Sequence, residues 1–225
     1  MRLKCIMIMC CVITLLPGCG CENDKRYTGL VNDIDHSSIV ENDVSRIQSW
    51  SRNEDTIAAA IAASTDTVER HKLLLRLGIV TRSQSRLESI IKENPEPWVG
   101  GIAAYTLMGL YSRNGAYRKA LTLYETAYEN GWLYAAYAAN DPEAQAIRTG
   151  LAMPDGMTEH EIAARVESLP IPYHFYLNDT ATAITIYKGI ISKYPETDRA
   201  RESASDLRDV ANGHCPYIAR SRRNV

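Results

Sequence analysis

The sequence predicts an all-α fold made of helical hairpins, and three observations carry that expectation. From Ile39 onward apolar residues recur at every third or fourth position, alanine-rich stretches are frequent, and no segment alternates apolar and polar residues with the period of two that a half-buried strand requires. A chain of 225 residues, 45% of them hydrophobic and with a net charge of -2, has the material for one ordinary globular domain and a tether.

The periodic segments predict helices at about 39 to 50, 54 to 63, 66 to 80, 83 to 93, 99 to 113, 117 to 130, 133 to 149, 158 to 168, 180 to 193 and 197 to 211. Helix breakers punctuate them: Pro95 and Pro97, Gly115, Gly131, Pro154 with Gly156, Pro170 with Pro172, and Pro195 all fall between periodic runs. Thr158 and Glu161 have the spacing of a capping box, in which hydroxyl and carboxylate each satisfy a free backbone N–H at a helix start. The stretch around Tyr173, Phe175 and Tyr176 reads as a proline-flanked loop.

One hairpin is specified in more detail. Ala104 to Ala127 runs AYTLMGLYSRNGAYRKALTLYETA. Ala104, Leu107 and Tyr111 fall on one face of a first helix, and Tyr117, Ala120, Tyr124 and Ala127 on the facing side of a second. Gly115 permits the tight turn between them, and small Ala120 lets the two backbones approach. This spacing resembles the tetratricopeptide repeat and, with Gly131 and Ala135 following Ala127, the related Sel1-like repeat. A weaker echo, AITIYKGIISKYP, sets Ala183, Tyr187, Ile190 and Pro195 at the spacing of a second helix and its stop. It is similar to helical repeats of periplasmic lipoproteins of the outer-membrane assembly and Tol-Pal-associated families. Ser83, Leu87, Ile90 and Pro95 repeat the spacing with poorer residues. Met108 stands where the repeat has glycine and Ala104 where it has tryptophan, and Pro170 and Pro172 interrupt the first helix of the last hairpin. The resemblance therefore covers one good unit and two half-units, roughly 83 to 135 and 180 to 211, and implies a compact domain that binds another protein or a peptide.

The N-terminus carries a different signal. Arg2 and Lys4 precede an apolar run, Cys5 to Leu16, whose twelve residues fall short of the ~20 that cross a bilayer as a helix. The run ends in Leu16, Pro17, Gly18 and Cys19, which resembles the lipobox of bacterial lipoproteins, with Pro17 an unusual occupant. The resemblance implies that residues 1–18 are a signal peptide and that Cys19, carrying diacylglycerol and a fatty acid such as palmitate, is the mature N-terminus. Each buried acyl methylene contributes ~0.8 kcal/mol, so several chains together anchor a protein firmly. Gly20 stands where an aspartate would, in resembling lipoproteins, favour the inner membrane. The analogy thus points to the outer membrane, facing the periplasm. The alternative is an ordinary cleaved signal with Cys19 an incidental thiol.

Residues 19–38 are polar and turn-forming and read as a tether, 39–215 as the helical domain, and 216–225, with Arg220, Arg222 and Arg223, as a basic tail. Once Cys5, Cys10 and Cys11 leave with the signal and Cys19 is acylated, Cys21 and Cys215 remain. They either pair across the ends of the domain or stay as free thiols.

The charge balance gives no domain-wide positive field, which removes the electrostatic basis for expecting nucleic-acid binding. Catalytic and metal motifs fail one by one. His160 and Glu161 begin as a zinc-protease helix would, but Ala164 occupies the second ligand position. His214 and Cys215 are adjacent, so their side chains diverge. Ser89 and Lys92 have the spacing of a serine-lysine pair without its companion motifs. Asp141, Glu143 and Asp155 read as caps and solvated loop groups. No cofactor, metal or nucleic acid is expected as a partner.

Thirteen tyrosines against one phenylalanine and three tryptophans mean that most aromatic side chains carry a polar end, which suits a surface apolar on one side and wet on the other. Trp132, Tyr134 and Tyr137, with Tyr173, Phe175 and Tyr176, are candidates either for an exposed binding strip or for sealing gaps between helices. The expectation is a lipid-anchored scaffold or adaptor with no catalysis of its own. The alternatives are a cell-envelope enzyme acting on cell-wall glycan, with its carboxylates among Glu143, Asp155, Glu159, Glu161 and Glu167 in the 138 to 179 region, and a structural subunit of a secretion or pilus assembly.

Overall fold

The computed structural model describes residues 54–154 and 156–214. Among them the chain forms α1 (Glu54–Ala63), α2 (Thr67–Val80), α3 (Gln84–Lys92), α4 (Pro97–Arg113), α5 (Tyr117–Glu129), α6 (Trp132–Ala138), α7 (Pro142–Gly150), α8 (Glu159–Ser168), α9 (Ile171–Tyr176), α10 (Thr180–Lys193) and α11 (Asp198–Ala211), and no strand. The fold is all-α, as the periodicity predicts. The helix expected at 39 to 50, the tether, Cys19, Cys21, Cys215 and the basic tail lie outside the described residues.

Side-chain caps explain five of the described helix starts. Asp66 caps α2 by accepting from the backbone N–H of Val68 at 2.8 Å and of Glu69 at 3.3 Å, while Asp141, Thr158, Asp179 and Thr197 cap α7, α8, α10 and α11. At α8 only half of the expected box forms. The Thr158 hydroxyl accepts from the Glu161 N–H at 3.2 Å, but the Glu161 carboxylate turns away to pair with Arg165 at 2.7 Å. A guanidinium one turn along the helix offers it an oppositely charged donor, where the Thr158 N–H is a neutral one.

Two elements differ from expectation. The helix expected over 133 to 149 is two, because Asp141 caps a new start and Pro142 stands at the first position, where its missing N–H costs nothing. Buried Arg148 from α7 closes the gap by donating to the carbonyls of Tyr137 at 2.7 Å, Ala139 at 3.2 Å and Ala136 at 3.3 Å, all at the end of α6. The stretch expected as a proline-flanked loop is the short helix α9. Pro170 and Pro172 lie in its first turn, where prolines are tolerated.

The hairpins α2–α3, α4–α5 and α9–α10 turn in the same way. A left-handed residue sits at each bend, Arg82 (φ 48°), Gly115 (φ 70°) or Asn178 (φ 60°). Its N–H donates to the residue three back, Ile79, Ser112 or Phe175, at 3.2, 3.0 and 3.0 Å. The next N–H, of Ser83, Ala116 or Asp179, donates five back, to Gly78, Tyr111 or His174, at 2.9, 2.8 and 2.8 Å. This pair of bonds satisfies carbonyls that the helix end would otherwise leave open.

The centre of the molecule is α4. Trp98, Val99, Ile102, Ala103, Ala104, Leu107, Met108 and Tyr111 are all buried on it, and it packs against α2, α3, α5, α6 and α7. Its tightest crossing is with α6. A Cβ on Gly101 would lie 2.1 Å from the Trp132 carbonyl oxygen and 2.6 Å from the Ala136 Cβ, so only glycine fits. A second cluster, Ala164, Ile171, Phe175, Ala183, Tyr187, Ile190 and Ala200, fills the space between α8, α9, α10 and α11. The fully buried Tyr187 donates its hydroxyl to buried Asp206 at 3.0 Å, and Tyr111 similarly reaches Glu88 at 2.8 Å. In both, a ring is buried and its polar tip satisfied. No side chain of α1 is buried.

These contacts set the expected effects of three substitutions. Gly101→Ala should destabilise the domain by about 3 kcal/mol, because the obstacle is backbone. Gly109→Ala in the same helix meets nothing within 4 Å and should stabilise it by ~0.5–1 kcal/mol, both read from urea melts followed by circular dichroism. Asp141 is held below its ordinary value chiefly by the N–H of Ala144, partly offset by burial, with the N–H of Glu143 and the charge of Lys72 adding to the lowering. Its folded-state value is the lower one, so its contribution is complete above the unfolded value and disappears as acid protonates the folded carboxylate. Asp141→Ala should therefore cost ~1 kcal/mol at neutral pH. The gap between variant and parent should close as the pH falls below 3.8.

Candidate functional site

Tyr117, Leu121, Tyr124 and Tyr128 are spaced to form one stripe along α5. Two other helices meet its ends. Tyr176 of α9 stacks on Tyr117, with ring centroids 4.5 Å apart and planes 17° from parallel. At the other end Tyr128 lies 5.6 Å from the Tyr124 ring and 5.7 Å from that of Tyr134 on α6, and the hydroxyls of Tyr134 and Tyr128 share a hydrogen bond. Tyr128 is 36% exposed, and the rings beside it are half-buried. The result is a strip of phenols packed ring against ring, half-buried except at Tyr128.

One carboxylate lies beside this strip. Glu167, near the end of α8, accepts the Tyr194 hydroxyl at 2.8 Å on Oε1 and the Lys193 ammonium at 3.0 Å on Oε2. Its side chain is only 16% exposed, whereas that of Lys193 is 59% exposed. His160 extends the lip, its ring 6.0 Å from that of Tyr194 and its Nδ1 against the Glu196 carboxylate. Burial first, and then the hydrogen bond to Glu167 and that group's charge, push the Tyr194 phenol up to about 12. Burial also raises Tyr124 and Tyr134, with the bond to Tyr128 adding for Tyr134 and the charge of Glu167 acting on both. These phenols therefore stay protonated, as neutral donors, at any pH near neutrality.

The structure redistributes the aromatic residues singled out by sequence. Trp132, Tyr137, Tyr173 and Phe175 are buried, so they belong to the core and not to an exposed strip. Trp132 is held by its packing on Gly100 and Gly101, and Phe175 lies 6.3 Å from the buried Tyr187 ring. Only Tyr134 and Tyr176 of that set reach the strip. Of the residues assigned to repeat packing, Leu107, Tyr111, Ala120, Ala127, Ala183, Tyr187 and Ile190 are buried, Gly115 makes the turn, and Pro195 is exposed. Tyr117 and Tyr124, assigned to the same packing, are half-buried and also line the strip. Tyr128 and Tyr194 were not singled out by sequence, and Glu167 was named only among the carboxylates of the enzyme alternative. The i, i+4 spacing of Tyr124 and Tyr128 was available as a signal, but nothing local brings Tyr194 to them.

The residues considered for chemistry lie apart. Glu143 pairs with Arg76 at 2.7 Å, Glu161 with Arg165 at 2.7 Å, and Glu159 is exposed at the start of α8. Ser89 spends its hydroxyl on the Arg86 carbonyl at 2.8 Å, and Lys92 is exposed. Asp155 lies outside the described residues. Among the described residues no three His, Cys, Asp or Glu side chains gather as a metal ion would need. No described helix is long and apolar enough to cross a membrane.

No family model matches the chain, and no curated protein or solved structure matches it.

Proposed function

We propose that this chain is a membrane-anchored scaffold or adaptor of the bacterial cell envelope, binding a protein or peptide partner through the tyrosine strip of its helical hairpins. The observation that carries the reading is the strip itself. Partly exposed phenols on adjoining helices offer a partner apolar area with little side-chain entropy to lose, and hydrogen-bonding ends at the rim. Tyr128, the most exposed of them, is the natural centre of contact. The tetratricopeptide or Sel1-like character of 104 to 135 supports the same reading, since such hairpins generally act by binding.

Anchorage is the second part of the proposal. The apolar run to Leu16 and the lipobox-like Leu16, Pro17, Gly18 and Cys19 support acylation at Cys19, and Gly20 supports an outer-membrane address facing the periplasm. Lipid would then hold the strip near the membrane, where an envelope partner is met at high local concentration.

Cys19→Ser should abolish incorporation of labelled palmitate and release the protein from membranes; continued labelling rules out this anchor. A photo-crosslinking phenylalanine derivative in place of Tyr128 should give one discrete adduct in cells. The same group in place of Val68, which is 44% exposed on α2, should not. Equal adducts from both positions would remove the strip as the docking face.

A further inference from the structure

We infer that the strip, beyond binding a partner in general, seats a cationic side chain of that partner, a lysine or arginine, against Glu167 in the place Lys193 now holds. This rests on the docking reading above and specifies its chemistry.

The half-buried Glu167 carboxylate is the starting point. Its 16% exposure means that it has lost much of its water, and a carboxylate so placed needs a cation or donors to offset that loss. The protein supplies one neutral donor, the Tyr194 hydroxyl at 2.8 Å, on one oxygen. The other oxygen takes the ammonium of Lys193 at 3.0 Å. Lys193 is the last residue of α10 and its side chain is 59% exposed. A long, wet side chain in an ion pair gives up rotamer freedom for little return, and exposed pairs of this kind are worth ~0.2–1 kcal/mol. It is therefore an occupant that a better cation can displace.

The surroundings favour a cation over other guests. Tyr194, Tyr124 and Tyr134 all lie within range of the Glu167 charge, and Tyr128 joins Tyr124 and Tyr134 into one run of rings with centroids under 6 Å apart. Aromatic faces are electron-rich and attract ammonium and guanidinium groups, more so where water is excluded. A half-buried carboxylate in this place repels an anion, and a guest that displaced Lys193 without a charge of its own would leave it unsatisfied. The neighbouring titratable pair, His160 with Glu196, is mutually satisfied and adds no unpaired positive charge to compete. Arginine suits the site further, because its planar group can stack on a phenol while bonding the carboxylate.

The test uses the full chain, purified in mild detergent with its tyrosine rings isotopically labelled, and four blocked pentapeptides that differ only at the central residue: arginine, lysine, norleucine or glutamate. The arginine and lysine peptides should move the ring signals of Tyr128, Tyr134 and Tyr194, with affinities about tenfold above those of the norleucine and glutamate peptides. Glu167→Gln, which keeps an oxygen for the Tyr194 hydroxyl, should erase that preference. Lys193→Met should strengthen arginine-peptide binding by roughly two- to fivefold by removing the competitor. Lys193→Met lies at the surface, so the inference stays testable should the Glu167 variant unfold. Unchanged or weaker binding in Lys193→Met overturns it. Equal binding of all four peptides, with the adduct from position 128 retained, overturns the cation seat while leaving the docking face standing. If no peptide binds and the adduct is also missing, both fall.

Discussion

The crossing of α4 over α6 is the constraint on which the rest of the structure depends. Gly100 and Gly101 bring the α4 backbone directly onto Trp132, with the position of a Gly101 Cβ only 2.1 Å from that residue's carbonyl oxygen. Removing two side chains lets a helix be surrounded, and α4 accordingly buries nearly every residue from Trp98 to Ala104. A helix buried on all sides gains little from amphipathic patterning and much from close packing. Everything that touches α4 is thereby fixed in place, and α6 most tightly. Because α6 is short and pinned at Trp132 and Ala136, its outward residue Tyr134 has one position available, beside Tyr128. From α6 the packing passes to α8, which carries Glu167. The strip is thus a consequence of two glycines that lie nowhere on it.

Tyrosine is the residue this arrangement requires. A phenylalanine in the same half-buried places would leave Glu167 without the Tyr194 donor and the rim without polar ends, while a serine would leave the helices unpacked. The same economy recurs inside the domain. Tyr111 and Tyr187 bury their rings and spend their hydroxyls on Glu88 and Asp206, so each fills core volume and satisfies a carboxylate on the neighbouring helix. The preference for tyrosine over phenylalanine among the described residues then reflects helices that meet through mixed apolar and polar faces.

Much of the fold was legible because helix periodicity and caps are local. The boundaries of α1, α5 and α10 follow from sequence to within a residue, and Gly115 marked its turn correctly. What escaped detection did so for identifiable reasons. Alanine-rich continuity masked the break between α6 and α7, although Asp141 before Pro142 is itself a cap followed by a first-turn proline. The break between α2 and α3 falls where the periodicity put it, but its likeness to the α4–α5 turn was hidden, because it seats Arg82 where the other has glycine. The aromatic strip was misplaced for a third reason. Trp132, Leu133, Ala136 and Tyr137 share the buried face of α6 while Tyr134 points elsewhere, and which face of a seven-residue helix is wet depends on neighbours that sequence does not name. Glu167 and Tyr194 meet across twenty-seven residues, so no motif could have joined them.

If the strip docks a partner as proposed, its electrostatics say where selectivity would reside. Its phenols are raised by burial and by one another, so they remain neutral donors and do not change character near neutral pH. Neutral rings can hold many apolar surfaces and distinguish few of them. Discrimination requires a group whose desolvation is costly unless the right partner satisfies it. Within the strip that group is Glu167, shielded enough to need a counter-charge and open enough to exchange one. Lys193 keeps it satisfied in the free protein without committing it, because a wet lysine at a helix end is held weakly. A tightly buried arginine in its place would have made Glu167 structural, as Arg148 is at the end of α6. The difference between these two cations, one sealed in by three carbonyls and one left at the surface, separates a contact that builds the fold from a contact that can be traded for a partner.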